Sequence, residues 1–378
     1  MNALSSNSHH ASETFSLDDP VKLLQDSCIP AGPTRYLGLC FEDGNLAVVA
    51  GESYFLVHRA LIARRSPSLE KLTQASLSVP LASGNSCSET IEGRPVLRLE
   101  DVEGDVVLLL RAFYDGLPSL LTGLDNFERI STLLRLSSKY EVECLTKELL
   151  ELLSKRWPSD MVAWDSRNSS AFDPILGPLN SMYGFRFNRH SSNHSTLFFS
   201  MLINLARQTH PVALSLLPAA FYDLSTQSPS VVAAGLTYLY DGVRHRLSQE
   251  DLIALLGGRE HCSRFFSTFI VNELQGRAAS QNCHNLTTLH NAKKKACQFA
   301  VELAMVELLK DCNGVVKGLT TDPLAAMAEV LELIKRPDSR MHACQACTNE
   351  LARVVRLART VFWRSLPHWF ALEVPNWR

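Results

Sequence analysis

Apolar positions change their period several times along the chain. From Leu46 to Val49 they run without interruption, as in a strand buried on both faces. Gly51 and Glu52 allow a tight reversal, and Tyr54 to Val57 make the returning strand. After His58 the spacing turns helical. Leu61 and Ile62 share one short helix, and Leu69 and Leu72 a second that begins at Pro67 with Ser66 as its cap. Residues 75–95 are rich in Ser, Gly and Asn and read as a flexible loop. Pro95-Val96-Leu97-Arg98-Leu99 then alternates like a half-buried strand. Val106, Leu109, Leu110 and Phe113 lie on one helical face that Gly116 ends. Asp125 with Glu128 starts a further helix carrying Ile130, Leu133, Leu134, Ser137 and Tyr140. Leu145, Leu149, Leu152 and Leu153 continue in another, which Pro158 stops.

The pattern then changes. Residues 159–193 hold Pro174, Gly177, Pro178, Gly184 and many Ser and Asn, and read as a linker. Everything after that reads as helical: about 195–208, a helix from near Pro211, one capped by Ser248 and Asp251 that ends at Gly257-Gly258, one over about 286–311, one from Asp322-Pro323 to near Pro337, and a last from about 341 to 365. Each carries apolar residues at three-to-four spacing and so needs a partner to bury its stripe. No fixed-length repeat is visible, which favours a packed helical domain over a solenoid. The expected organisation is a tail over 1–35, an α+β domain over 36–158, the linker-like segment over 159–193 and an all-α C-terminal domain over 194–378.

Composition narrows the function classes. The 378 residues suffice for two domains, at about 100–200 residues each. The net charge of -2 gives no overall bias toward nucleic acid, and the basic runs Arg64-Arg65 and Lys293-Lys294-Lys295 are short enough to be solvated helix faces. The N-terminal residues lack the charged start and apolar core of a signal peptide. The best apolar stretch, Leu197 to Phe221, is broken by Arg207, His210 and Pro211, short of the roughly 18 residues that span a bilayer. The expectation is a soluble intracellular protein, cytoplasmic or nuclear. Its ten cysteines are then mostly reduced thiols, and the sequons at Asn168, Asn193 and Asn285 are chance matches.

The order strand Leu46–Val49, Tyr54-Phe55-Leu56-Val57-His58-Arg59, Leu61, Ser66, strand Val96–Leu99, Phe113-Tyr114 before Gly116, and the Leu133–Tyr140 helix resembles the BTB/POZ family. The resemblance covers about 120 residues. It implies a small sheet flanked by helices that binds other proteins, with the His-Arg segment opening the first core helix. Leu217 to Tyr222, Leu247 to Arg259, and Cys344, Cys347, Trp363, Leu366-Pro367 and Phe370 are further similar to the expanded BTB proteins of mushroom-forming fungi. Two features depart from the family pattern. The segment before Tyr36 is Pro-rich and short of apolar residues, against a strand-exchanged dimer. Leu72 to Glu92 shows no clear hydrophobic-x-Glu element of the kind that cullin-binding members carry.

The chemistry is sparse. Cys344 and Cys347 have the spacing of a zinc half-site. Cys283, His284, His290, Cys297, Cys312 and His342 are candidate partners, but none forms a second tight pair. Two thiols three apart on a helix also share one buried face, and the sequence favours packing cysteines over metal. His58, among Leu56, Val57, Ala60 and Leu61, reads as a satisfied core histidine. Trp157, Trp164, Trp363, Trp369 and Trp377 read as core anchors. The chain has no GxSxG elbow, HExxH, P-loop or GxGxxG. The expectation is a non-enzymatic protein-interaction scaffold with no catalytic residue, no cofactor, protein partners, and neither nucleic acid nor membrane. The narrower alternatives are a cullin-type ubiquitin-ligase adaptor and a transcriptional regulator.

Overall fold

A computed structural model describes residues 32–78, 89–121, 126–167, 193–209, 211–237, 244–286, 296–310, 321–335, 342–375 and 377. It opens with β1 (Thr34–Cys40), β2 (Leu46–Ala50), β3 (Ser53–Val57), α1 (Arg59–Arg65), α2 (Pro67–Ser78), β4 (Thr90–Ile91) and β5 (Arg94–Leu99). Helices α3 (Glu103–Tyr114), α4 (Leu117–Leu120), α5 (Asn126–Lys139), α6 (Glu143–Arg156) and α7 (Met161–Ser166) follow. Next come α8 (Asn193–Gln208), α9 (Leu217–Ser225), α10 (Pro229–Ala234), β6 (Leu236–Thr237) and β7 (Arg244–His245). The chain closes with α11 (Gln249–Phe269), α12 (Ala296–Lys310), α13 (Pro323–Leu333) and α14 (Gln345–Trp369). The architecture is mixed: a small curled five-stranded sheet and many helices.

The sheet has the order β1-β3-β2-β5-β4. β2 pairs antiparallel with β3 (Leu46 opposite Val57, Ala50 opposite Ser53) and parallel with β5 (Ala47 opposite Val96). Gly51 turns the hairpin with a φ of 57°, a backbone region that glycine enters without steric cost. β2 is buried along its whole length, as its unbroken apolar run requires. Leu46, Val48 and Ala50 face the main core, whereas Ala47 and Val49 join Tyr54, Leu56 and Val96 in a smaller cluster on the other face. Ser66 sits at the junction of α1 and α2. Its Oγ accepts from the Leu69 N–H at 3.0 Å and donates to the Tyr140 carbonyl at 2.5 Å, so one buried hydroxyl caps α2 and ties it to the end of α5.

Several expectations are corrected. β1 begins at Thr34 and pairs parallel with β3, so residues 34 and 35 belong to a strand and not to a tail; residues 1–31 lie outside the described residues. The segment read as a loop over 75–95 supplies the last turn of α2 and the short antiparallel pair β4–β5, with 79–88 outside the described residues. The segment read as a linker opens with α7, whose Trp164 is fully buried; 168–192 lie outside the described residues. The C-terminal half also contains the β6–β7 pair, so it is not purely helical. Asp125, much of 286–296 and Pro337 fall outside the described residues.

Gly257-Gly258 does not end a helix: α11 runs through both to Phe269. The reason is tertiary. A Cβ on Gly258 would lie 2.0 Å from the Phe370 ring, while one on Gly257 would meet nothing within 4 Å. Gly258 therefore lets Phe370 seat against the helix, and Gly257 is a helix-interior glycine with no such role. Gly258→Ala should lose about 1–3 kcal/mol of stability through overpacking. Gly257→Ala should gain up to about 1 kcal/mol from helix propensity. Urea unfolding of the two variants checks this; equal effects would contradict it.

Other caps follow the sequence. The Ser248 hydroxyl accepts from the Asp251 N–H, and the Asp322 carboxylate accepts from the Ala325 N–H with Pro323 at the first helical position. Asp322 also accepts from the buried Tyr222 hydroxyl at 2.7 Å, and that hydroxyl accepts from the Leu324 N–H, which seats α13 on α9. The apolar core is continuous from Leu39 to Leu372. Phe127 meets Phe198, Trp157 meets Phe199, and Trp164 meets Tyr222 and Trp363, so rings from both halves of the chain interlock.

Candidate functional site

His58 stands at the rim of the sheet and not in the core, with about a third of its side chain exposed. Its Nδ1 meets the Tyr114 hydroxyl at 2.9 Å and its Nε2 meets Asp43 Oδ1 at 3.1 Å. The Tyr114 hydroxyl also accepts from the His58 backbone N–H at 3.0 Å. Phe41 stacks on Tyr114 with ring centroids 4.5 Å apart. The hydrogen bond from His58 lowers the exposed Asp43 carboxyl, and burial raises the Tyr114 phenol. These contacts join the turn before β2, the start of α1 and the end of α3. Both ring nitrogens of His58 thus have partners, and the imidazole bridges the Asp43 carboxylate and the Tyr114 hydroxyl.

A different set of residues converges in the C-terminal half. The sulfurs of Cys283, Cys297, Cys344 and Cys347 all lie within 4.8 Å of one another. Cys283 Sγ is 3.6 Å from Cys297 Sγ and 3.7 Å from Cys344 Sγ. None of the four is in a disulfide. Three segments deliver them. Cys283 lies in the loop after the π-helical turn Ile270–Leu274 that extends α11. Cys297 is in the first turn of α12. Cys344 is the N-cap of α14, and Cys347 follows in its first turn. Cys283 and Cys297 are buried, whereas Cys344 and Cys347 are half-buried.

Polar donors surround the sulfurs. The Ser280 N–H points to Cys347 Sγ, and the Cys344 N–H and Asn285 Nδ2 point to Cys297 Sγ, each at 3.3 Å. Burial pushes the Cys344 thiol up, but the N–H groups of Cys347 and His284 and the neighbouring thiols outweigh it and bring it down to about 6. Burial raises Cys297 and Cys347. The first turns of two helices also carry partial positive charge toward the cluster, which favours sulfur in its anionic form.

Of the residues weighed from sequence, the structure thus brings Cys283 and Cys297 to the Cys344–Cys347 pair. His284 and His342 are exposed and not among the converging ligands, and His290 and Cys312 lie outside the described residues. Ser280 and Asn285 carry no sign of this role in the sequence, because a backbone N–H and an amide pointing at sulfur leave no spacing signal.

Two other places were candidates for chemistry. A polar hollow of about 560 Å³ is lined by Asn204, Arg207, Gln208, Ser248, Glu250 and Asp251, but Arg207 and Asp251 pair across it at 2.6 Å and so join α8 to the start of α11. Trp157, Trp164 and Trp363 are fully buried, while Trp369 and Trp377 pack partly buried on the core. Among the described residues no helix is long and apolar enough to cross a membrane. No family model, curated protein or solved structure matches the chain.

Proposed function

We propose that the chain is a non-enzymatic protein-interaction protein: a BTB/POZ-like unit over 36–158 followed by a helical half that completes the fold and presents a second surface. The observation that carries this reading is the order of the first elements. A tight hairpin is followed by two short helices, a strand returning parallel beside the first hairpin strand, and then helices. That order is what the resemblance in Leu46–Val49, His58-Arg59, Ser66, Val96–Leu99 and Leu133–Tyr140 implies. The continuous core supports a helical half that belongs to the same folded body.

Helix α12 supports the second surface. It buries Cys297, Ala300, Val301, Ala304 and Leu308 on one side. Phe299, Leu303, Val306 and Leu309 lie on the opposite side and keep 39–47% of their surface exposed. An apolar stripe on the outer face of a helix is the kind of surface from which a partner gains affinity. The test is affinity capture of the full chain beside Leu303→Glu/Val306→Glu, with folding of the variant checked by circular dichroism. The expected result is a reproducible partner that the double variant loses at least about tenfold, since each buried leucine-sized anchor contributes on the order of 1.5–3 kcal/mol. Equal recovery by both proteins would overturn the role of α12, and absence of any specific partner would overturn the interaction reading.

A further inference from the structure

We propose that Cys283, Cys297, Cys344 and Cys347 bind one zinc ion as a structural tetrathiolate centre that fastens the loop after α11 to the first turns of α12 and α14. Geometry is the main argument. A tetrahedral ion with Zn–S bonds of about 2.3 Å sets its sulfurs about 3.8 Å apart. The separations of 3.6 and 3.7 Å match that edge, and the spread of 4.8 Å closes with small side-chain adjustments.

The other ways of using four close cysteines fit less well. Disulfide sulfurs lie about 2.05 Å apart, and here Cys283 is close to two different thiols at once instead of matched to one. An iron–sulfur cluster places a core of several atoms between its thiolates, and so needs a wider ring of ligands than this one. Packing cysteines behave as small apolar groups and need no donors. These sulfurs receive the Ser280 and Cys344 N–H groups and the Asn285 amide, the kind of outer-shell support that holds charged ligands in place. A closed set of four sulfurs also leaves no position for water, as in structural rather than catalytic zinc sites.

The centre carries a consequence for folding. Its ligands stand 14 residues apart between Cys283 and Cys297, and 61 apart between Cys283 and Cys344. The binding step is balanced by protons: Zn²⁺ and four thiols give a dianionic tetrathiolate and four protons, and no electron is transferred. Because these four groups converge only in the folded chain, the free energy of binding adds to that of folding.

The test starts from the full chain, purified without chelator or metal-affinity resin. Elemental analysis should find about one zinc per chain, and a mercurial that caps thiols should release it. Cobalt exchanged into the same chain should give the strong visible and sulfur-to-metal bands of a tetrahedral tetrathiolate. Cys344→Ser/Cys347→Ser should lose at least about nine-tenths of the metal, whereas Cys144→Ser, at an exposed thiol outside the cluster, should keep it. If the double variant does not fold, the cobalt spectrum of the unmodified chain still decides the matter. Metal-free chain with all cluster thiols free, a mass lower by two hydrogens per pair, or iron in place of zinc would each overturn the proposal. None of these outcomes bears on partner capture through α12, so the two readings fail separately.

Discussion

Replacing Asp223 with alanine should remove about 3–5 kcal/mol of stability, the usual result of removing one partner of a buried ion pair. Asp223, in the last turn of α9, accepts two hydrogen bonds from Arg167, at 2.7 and 2.8 Å. The Arg167 side chain is 2% exposed and the Asp223 side chain 10%. The guanidinium also donates to the Arg156 carbonyl at 2.9 Å and lies 3.2 Å from the centre of the Trp164 ring. Its charge is therefore enclosed, and Asp223→Ala removes the carboxylate that accepts two of its hydrogen bonds. The double change Arg167→Met/Asp223→Leu removes both charges and should recover most of the loss, because desolvation of the pair offsets much of its attraction. Chemical unfolding of the three variants measures this. A loss under about 1 kcal/mol in Asp223→Ala would mean that the pair behaves as a surface salt bridge.

Trp363→Ala is expected to cost a similar amount, about 3–5 kcal/mol. The indole is 1% exposed and lies between Trp164 and Trp377, each with its ring centroid 4.9 Å away. Its Nε1–H donates to the Ser159 carbonyl at 3.1 Å, and its own carbonyl accepts from Trp377 Nε1–H at 2.8 Å. Alanine would leave a cavity and orphan the Ser159 carbonyl. Phenylalanine would fill most of the space and lose the one hydrogen bond, so Trp363→Phe should cost distinctly less, about 1–2 kcal/mol beyond packing mismatch. Thermal unfolding followed by circular dichroism separates the two, and equal losses would show that cavity size is not what matters there.

Both predictions concern the ties between the segment after Pro158 and the C-terminal helices, where composition gave little guidance. Gly, Pro, Ser and Asn make 159–193 look like a linker, yet the Trp164 and Arg167 side chains at its start are buried in the core, and the exposed Asp165 accepts from Arg359 Nη1 at 2.9 Å. Local composition reports flexibility of a chain, not what a single buried tryptophan holds. The hairpin, by contrast, was legible. An unbroken apolar run, a glycine turn and a Ser-Pro helix start each state a local preference, and burial along β2 and the Ser66 cap follow from them. β1 escaped because Tyr36, Leu37 and Leu39 stand in a short segment behind Pro30, Gly32 and Pro33. Gly258 misled for a tertiary reason, the Phe370 ring against it.

The cysteine cluster shows the limit most clearly. Cys344-x-x-Cys347 is visible as a pair because helix geometry joins residues three apart. Cys283 and Cys297 are brought to it by the packing of α11, α12 and α14, at separations no motif encodes. All four cysteines were candidates from the sequence, but which of six possible partners join the Cys344–Cys347 pair depended on topology.

X-ray absorption at the zinc edge of the purified full chain tests this account most directly. The expected result is four sulfur neighbours at about 2.3 Å with no nitrogen or oxygen neighbour. Absence of zinc, or a shell containing histidine or water, would contradict it.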